Sequence, residues 1–304
     1  MKMLNRRSFI AKSALGAMGL SWAPSLDAFA ASSAKITILH TNDMHSRIDP
    51  FPNDGGRNAG KGGMARRAQL IKQIRQQEEH VLLLDAGDIF QGTPYFNLFG
   101  GELEFKLMSQ MGYDASTLGN HDFDNGIKGL MDQLPHAKFP FVIANYDFTG
   151  TPLHQQFAPY KVFQKGEIRV GVFGLGIELV GLVNEKLYGA TRYMDPVAVA
   201  REMVQQLKDE SCNLIICLSH LGYQYRNDKV SDMVLAQQVE GLDLIIGGHT
   251  HTFLDEPTVV HNEHSAPVLV NQVGFGGINL GRIDFTMAKG SSKFASKSKT
   301  VKVD

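Results

Sequence analysis

The sequence predicts an α/β protein with mixed sheets, because it combines two kinds of strand connection. Near the start of the chain, apolar strand patterns are followed by polar loops and then by helical patterns, which is typical of parallel strands. The strand patterns at 160–164 and 168–173 are instead separated by Lys165-Gly166-Glu167, which predicts an antiparallel hairpin. The chain has 304 residues, of which 43% are hydrophobic and 20% are charged, so it is an ordinary globular protein.

Composition excludes some classes of partner. The formal net charge is −1, and the body of the chain has no basic tract, so we expect no binding to a nucleic acid polymer or to an anionic membrane surface. The two cysteines, Cys212 and Cys217, lie in one apolar run, where a strand would place their side chains on opposite faces. We therefore expect two buried free thiols rather than a disulfide.

The first thirty residues predict an export signal that is not part of the fold. Paired Arg6 and Arg7 precede a modest apolar segment at 14–23, and a small-x-small sequence follows at 28–30. This order resembles a twin-arginine signal with cleavage after Ala30, and the apolar segment is too short for a stable membrane anchor. We therefore expect a periplasmic protein. An amphipathic N-terminal helix that stays attached is the alternative.

The first half of the mature chain alternates strands and helices. Strands are predicted at 35–40, 80–84, 115–118 and 141–144, and helices at 64–77, 103–111 and 126–134. The helix at 64–77 has apolar residues on one face, and the segment before it, 49–63, is rich in Pro, Gly and Asn and therefore predicts a loop.

The second half of the chain continues the alternation and then adds strands. Asp195 and Pro196 predict the N-cap and first position of a helix at 196–208. Strands are predicted at 213–218, 242–246, 258–260, 268–270 and 278–285, with a helix at 232–239. No internal repeat or linker marks a second domain, so we expect one domain over 31–288. The segment 288–304 is rich in Lys and Ser and predicts a frayed, flexible tail, 289–304.

Side chains that can bind metal follow the predicted strands five times. The residues concerned are Asp43 with His45, Asp88, Asn120, His220, and His249 with His251. Because the carboxyl ends of neighbouring strands in an α/β sheet border one crevice, ligands distant in sequence can become neighbours in space. All seven are oxygen or imidazole nitrogen donors, which favours divalent ions such as Mn, Zn, Fe or Co. Two such ions about 3.5 to 4 Å apart can promote in-line displacement at a phosphoryl group.

The stretch GNHDFDNG at 119–126 is the densest of these polar clusters. It places Asn120, His121, Asp122 and Asp124 within five residues. A buried polar group without a partner costs about 1 to 3 kcal/mol, so several together imply mutual pairing, a metal, or both. We interpret the stretch as a metal ligand with a general acid beside it.

Each of these features has a structural alternative when it is taken singly. A lone His at a strand end is more often a satisfied structural residue than a ligand, and His136, His154, His261 and His264 are interpreted in that way. The sequences GDIFQG and Gly247-Gly248 could each be a structural turn. The metal interpretation depends on the conjunction of five clusters whose ligand types suit one class of ion.

The ordered motifs also resemble a known family. HTNDMHS, DAGDIFQGTP, LGNHDFDNG, VIANYD, LSHLG and GGHTH, in that order, are similar to the metallophosphatase half of the 5'-nucleotidase family, within the calcineurin-like phosphoesterases. The match covers nearly the whole mature chain. The resemblance implies a four-layer α-β-β-α sandwich of two mixed sheets, with a dinuclear metal site at the strand ends.

The resemblance implies a role for each motif residue. One metal ion would be held by Asp43, His45 and His251, and the other by Asn120, His220 and His249, with Asp88 bridging the two. The resemblance further implies that His121 faces the phosphate and that Asp124 pairs with it. His121, held cationic by Asp124, would stabilise the transition state and protonate the leaving oxygen. Asp122 is interpreted as a structural residue outside the metal coordination.

One departure from the family concerns substrate selection. Two-domain members carry a C-terminal domain with the nucleoside pocket, whereas only a short segment follows His251 here. We expect the loops 49–63 and 176–192, or a separate chain docked over the site, to select the substrate.

The main functional hypothesis is an exported, dimetal-dependent hydrolase of nucleotides or related phosphoesters. Three alternatives stay open: the metal-bearing subunit of a two-chain 5'-nucleotidase, a thiosulfohydrolase-like or cyclic-phosphodiesterase activity on the same site, and a purely binding role.

Overall fold

The computed structural model describes residues 33–288, 291 and 293–304, and within them two large sheets dominate. The strands of the first sheet are β1 (Ser33–Thr41), β2 (Val81–Asp85), β3 (Ala115–Ser116), β12 (Asn279–Ala288) and β13 (Phe294–Lys302). Their order is β13-β12-β1-β2-β3, in which β1, β2 and β3 are parallel and β12 and β13 are antiparallel to their neighbours.

The second sheet has six strands and is also mixed. Its strands are β5 (Tyr160–Lys165), β6 (Ile168–Leu175), β8 (Leu214–Ser219), β9 (Leu244–Gly247), β10 (Thr258–His261) and β11 (Pro267–Asn271), in the order β10-β11-β9-β8-β6-β5. The predicted hairpin is present, because β5 and β6 pair antiparallel from Tyr160 opposite Phe173 to Lys165 opposite Ile168. A separate two-stranded ribbon joins β4 (Tyr146–Asp147) to β7 (Arg192–Tyr193).

Helices cover the outer face of each sheet. They are α1 (Met64–Gln77), α2 (Pro94–Phe99), α3 (Glu102–Met111), α4 (Gly126–Gln133), α5 (Glu185–Tyr188), α6 (Pro196–Asp209) and α7 (Asp232–Gln238), with short 3-10 turns at His121–Phe123 and Leu134–His136. Asp195 caps α6 as predicted, since its Oδ1 accepts from the backbone N–H of Ala198 at 2.7 Å.

Alternation along the strands divides the apolar core into three layers. Ile36 and Ile38 of β1 pack in the same core as Val170 and Val172 of β6, between the two sheets. Leu39 of β1 belongs instead to the core under α1 and α3, and a third core lies between the second sheet and α6 with α7. Side chains point alternately to opposite faces of a strand, so both faces of each sheet are buried. The result is the expected four-layer α-β-β-α sandwich.

The predicted frayed tail is wrong. Phe294–Lys302 forms β13, which pairs with β12 along its whole length, from Asn279 opposite Lys302 to Met287 opposite Phe294. Val303 beyond it is 2% exposed, and Phe294 meets Phe285 edge to face. An edge strand tolerates the Lys and Ser residues of this segment, because its outward side chains remain in water and charge protects the open edge.

Other differences from the predictions are smaller. The predicted strand at 141–144 makes only isolated bridges, at Phe141 and Val142. Cys217 is buried as predicted, but Cys212 is only partly buried, and both are free thiols. The predicted export signal lies outside the described residues. Within the described ranges, no helix combines the length and apolar character needed to cross a membrane.

Candidate metal centre

The parallel strands of both sheets bring their carboxyl ends to one side of the sandwich. Asp43 and His45 follow β1, Asp88 follows β2, and Asn120 follows β3, while His220 follows β8 and His249 and His251 follow β9. Candidate ligands from both sheets therefore meet at one edge of the sandwich, as predicted from their positions after the strands.

The backbone turns sharply at most of these positions. Five of the seven residues have positive φ: Asp43 (50°), His45 (47°), Asp88 (54°), His249 (70°) and His251 (53°). Such a conformation is uncommon for residues with a side chain and typically marks a functional constraint. Gly119 is needed beside them, since a Cβ at that position would lie 2.2 Å from Oδ1 of Asp88.

A first group of candidate ligands consists of Asp43, His45 and His251. The two Nε2 atoms of His45 and His251 are 2.9 Å apart, and they lie 4.0 and 3.4 Å from Oδ1 of Asp43. Asp43 is fixed by the backbone N–H of His249, which donates to both of its carboxylate oxygens at 2.9 and 3.0 Å. This N–H links the loop after β1 to the loop after β9.

A second group consists of Asp88, His220 and His249. Nε2 of His220 lies 3.1 Å from Oδ2 of Asp88, and Nδ1 of His249 lies 2.8 Å from Oδ1 of Asn120. Asn120 therefore lies beside the second group. Oδ2 of Asp88 is also 3.9 Å from Nε2 of His45, so this carboxylate lies between the two groups.

Nε2 of His220 and the carboxylate of Asp88 are placed to bind one cation together. Nδ1 of His220 is 2.7 Å from the carbonyl oxygen of Ala86, which can only accept, so this nitrogen donates and Nε2 is the ring nitrogen left to bind a proton or a metal ion. Nε2 of His220 faces the carboxylate of Asp88 at 3.1 Å and has no hydrogen-bond partner of good geometry among the described residues. An outer hydrogen bond that orients the ring is the usual arrangement of a metal-binding His.

The charges around this pair favour a positive charge at the same place. Burial lowers the pKa of His220, but the carboxylates of Asp88 and Asp43 raise it to about 10. Burial raises the pKa of Asp88, but His220 and His45 hold it well below its usual range. Burial, followed by the charge of His220, lowers the pKa of His249 to about 4, which keeps that ring neutral. A shared positive charge is therefore favoured between His220 and Asp88.

Asp122 organises the loops from a position outside both groups. Its carboxylate accepts hydrogen bonds from the backbone N–H groups of Asp88, Ile89, Phe90 and Gly119 at 2.8 to 3.2 Å. Burial and the charge of Asp88 raise the pKa of Asp122 to about 7. These contacts fit the structural role predicted for this residue.

His121 and Asp124 form a pair beside the two groups. Nδ1 of His121 is 2.8 Å from Oδ2 of Asp124, so it donates to the carboxylate and leaves Nε2 as the second ring nitrogen. This hydrogen bond raises the pKa of His121 against the effect of burial. The ring of His121 lies edge-on to that of His45, with centroids 5.2 Å apart. The pair can hold a proton next to the candidate ligands.

A cavity of about 290 Å³ opens beside the first group. His45, His121 and His251 line one side, and the other walls are formed by Arg47, Phe51, Gln91, Gly92, Phe275 and Gly276. Sequence reasoning singled out the loop that contains Phe51 but missed Arg47 and Phe275. Arg47 could have been found, because it lies two residues after His45 in the same turn. The loop 176–192, also expected to select substrate, contributes no residue to the lining within the described ranges.

The four histidines interpreted as structural belong to neither group. His136 lies 4.0 Å from Glu102, and His264 lies 3.4 Å from Glu240 on the surface. His154 and His261 are likewise outside both groups of candidate ligands.

Comparison with known sequences and structures finds clear relatives. The family model described as calcineurin-like phosphoesterase matches residues 36–253. A snake venom 5'-nucleotidase of Gloydius brevicauda is 40% identical over 245 residues, which make up 78% of this chain and 40% of that protein. The crystal structure of a 5'-nucleotidase precursor from Thermus thermophilus has a TM-score of 0.80 at 35% identity, covering 88% of this chain and 54% of that chain.

A more distant structure shares the fold alone. A sulfate thiohydrolase from Thermus thermophilus has a TM-score of 0.73 at 21% identity, covering 88% of this chain and 56% of that chain. The chain thus spans about 40% of the length of the venom relative and about half the length of these two structures.

Proposed function

The chain belongs to the calcineurin-like phosphoesterase family, and from that premise we propose that it is a dimetal-dependent hydrolase of nucleotides or related phosphoesters. The observation that carries the proposal is the convergence of two groups of candidate ligands, with Asp88 between them and the His121–Asp124 pair alongside. The names of the 5'-nucleotidase relatives support nucleotides as the substrate class.

Each residue has a defined task in this proposal. Asp43, His45 and His251 would hold one divalent ion, and Asn120, His220 and His249 the other, with Asp88 shared between them. When bound, such ions activate water and neutralise charge on a phosphoryl group. The ring of His121, oriented by Asp124, would donate a proton to the leaving oxygen and stabilise negative charge near it. Asp122 would keep the loops of Asp88 and Gly119 in place.

The test is metal analysis coupled to an activity panel on the purified protein lacking residues 1–30. We expect about two divalent ions per chain, hydrolysis of nucleotides, loss of activity in chelator and recovery when Mn or another divalent ion is restored. Asp88→Asn should lose metal and activity, whereas the control His136→Ala should keep both. No turnover of any phosphoester with metal restored would exclude the proposed function.

The same panel separates the alternatives. Sulfur esters and cyclic nucleotides should be turned over poorly compared with nucleoside monophosphates. If the protein is instead one subunit of a two-chain enzyme, it should bind metal but hydrolyse no nucleotide until a partner chain from the native extract is added. Size-exclusion chromatography of that extract would then show the activity at a larger size than the chain alone.

A further inference from the structure

We propose that the cavity walled by Arg47, Phe51 and Phe275, here called the ring subsite, binds a planar ring in the leaving group of the substrate. The inference rests on the proposed hydrolase function and deepens it, because it assigns substrate selection to residues of this domain. The expected substrates are phosphoesters whose leaving group carries a nucleobase or a similar ring.

The location of the ring subsite fits a leaving group. His45 and His251 of the first ligand group line the same cavity as His121, which would protonate the leaving oxygen. A phosphoryl group bound at the candidate ligands would therefore direct its leaving group into this cavity. At about 290 Å³, the cavity is near the lower limit of about 300 Å³ for small-molecule pockets and suits one small ring system.

The walls of the ring subsite are aromatic and mutually braced. Phe275 stacks on His251 with centroids 5.0 Å apart and an interplanar angle of 18°, and Phe51 meets Phe275 edge to face at 5.9 Å. Aromatic side chains stack on planar rings whatever substituents the rings carry. Such walls therefore favour a ligand with a ring but do not specify which ring.

Gly276 lets the backbone lie close to the ring of Phe51. Gly276 has φ of 62°, and a Cβ there would lie 2.8 Å from Cζ of Phe51, so a side chain at this position would displace the ring. The backbone N–H of Gly276 donates to the carbonyl oxygen of Asp43 at 2.7 Å. This bond ties the aromatic wall to the loop that carries the first group of ligands.

Arg47 adds a positive charge to the ring subsite. Its Cζ lies 4.3 Å from the centroid of Phe51, and no carboxylate of the described residues forms an ion pair with it. A guanidinium stacked on a ring keeps its N–H donors free at the edges. Arg47 can therefore donate to acceptor atoms of a bound ring while it holds Phe51 in position.

The experiment compares two substrates that both release the primary hydroxyl of a ribose, one with a base on the sugar and one without. Adenosine 5'-monophosphate and ribose 5-phosphate differ in the base and not in the reacting oxygen, so the ratio of their kcat/KM values reports binding of the ring. We expect the metal-loaded protein to favour the nucleotide by about tenfold or more, and Phe51→Ala to lower the ratio by about tenfold, mainly through KM. Phe51→Tyr should restore the ratio, and Arg47→Gln should lower it.

Controls separate loss of the ring subsite from loss of fold or of the proposed function. Phe99→Ala removes an exposed ring outside the cavity lining and should keep the wild-type ratio. Titration calorimetry with adenosine gives a readout without turnover, and Phe51→Ala should weaken this binding about tenfold. If Phe51→Ala does not fold, Phe51→Leu takes its place. An active protein whose ratio and adenosine binding do not change in the variant would overturn the ring subsite and leave the hydrolase proposal standing.

Discussion

At the scale of single residues, the site combines candidate ligands that share one class of chemistry with neighbouring groups that hold them in place. The carboxylate of Asp122 satisfies four backbone N–H groups, and the carbonyl of Ala86 orients His220. A positive charge next to Asp88, on His220 or on a bound cation, offsets the cost of burying this carboxylate. Asp122 and Ala86 therefore position the candidate ligands without belonging to either group.

The role proposed for His121 is tested by removing its ring. His121→Ala should lower kcat by about 100-fold, because a positioned general acid or charge stabiliser contributes on that scale. The metal content should stay near two ions, since His121 belongs to neither group of candidate ligands. The matched control is His136→Ala, a histidine outside the site. Loss of metal in the His121→Ala protein would contradict the assigned role.

At the scale of elements, the buried carboxyl group of Asp243 at the start of β9 makes the stability of the fold depend on pH. Asp243 precedes β9, and burial raises its pKa to about 6, although the N–H of Ile215 and the charge of Lys208 oppose the shift. A carboxyl group with a raised pKa in the folded state contributes stability that is complete below its unfolded pKa and is lost as pH rises through about 6.

Asp243→Asn should therefore remove part of the pH dependence of unfolding. We expect the free energy of unfolding of the variant, relative to that of the wild type, to rise by about 2 kcal/mol when the pH is raised from 4.5 to 8, because each unit of pKa shift corresponds to about 1.4 kcal/mol. Denaturant unfolding in chelator at both pH values measures the difference. Asp209→Asn, at an exposed position, is the control. A constant difference between variant and wild type across this range would contradict the prediction.

The last strand offers a second test at the same scale. A chain truncated after Ala288 lacks β13, so it should lose the pairing with β12, the buried Val303 and the bond from Gly62 N–H to the Val303 carbonyl. We expect a lower midpoint of denaturant unfolding and a greater tendency to aggregate, because β12 becomes an open edge. An unchanged midpoint would favour the frayed tail that composition predicted. Removal of residues 1–30 alone serves as the control.

At the scale of the whole molecule, two sheets that share no strand supply one site. The loops after β1, β2 and β3 come from one sheet, and those after β8 and β9 come from the other. Packing of the two sheets through Ile36, Ile38, Val170 and Val172 therefore sets the distance between Asp88 and His220. Changes in the core between the sheets should act on metal binding as well as on stability.

Export remains a proposal that rests on the sequence of the first thirty residues. Replacing both Arg6 and Arg7 with Lys should retain the protein inside the cell, because the paired arginines are the feature that the twin-arginine pathway requires. Fractionation of the periplasm with detection of a chain shortened at about Ala30 measures the outcome. Replacement of Lys2 with Arg is the control, since it keeps the pair intact. Equal export of the double variant would exclude this route.

The sequence by itself determined much of the fold and the chemistry of the candidate site. Apolar periodicity predicted most strands and helices, and the polar residues after the strands predicted which side chains would meet, since parallel strands in a sheet end at one edge. The family resemblance is confirmed by the match over residues 36–253. Asp43, His45, Asp88, Asn120, His220, His249 and His251 were all named from the sequence, and the structure brings them together.

Only the tertiary structure decided features that depend on contacts distant along the chain. The Lys- and Ser-rich end forms β13 because β12 offers it a partner edge, and composition carries no information about that edge. Phe275 meets Phe51 through packing of two loops that are more than 200 residues apart in the sequence, which no local pattern encodes. Likewise, the positive φ values at Asp43 and His249 are seen only in the folded backbone. Local sequence specifies which groups are available, whereas long-range packing specifies which of them share a cavity.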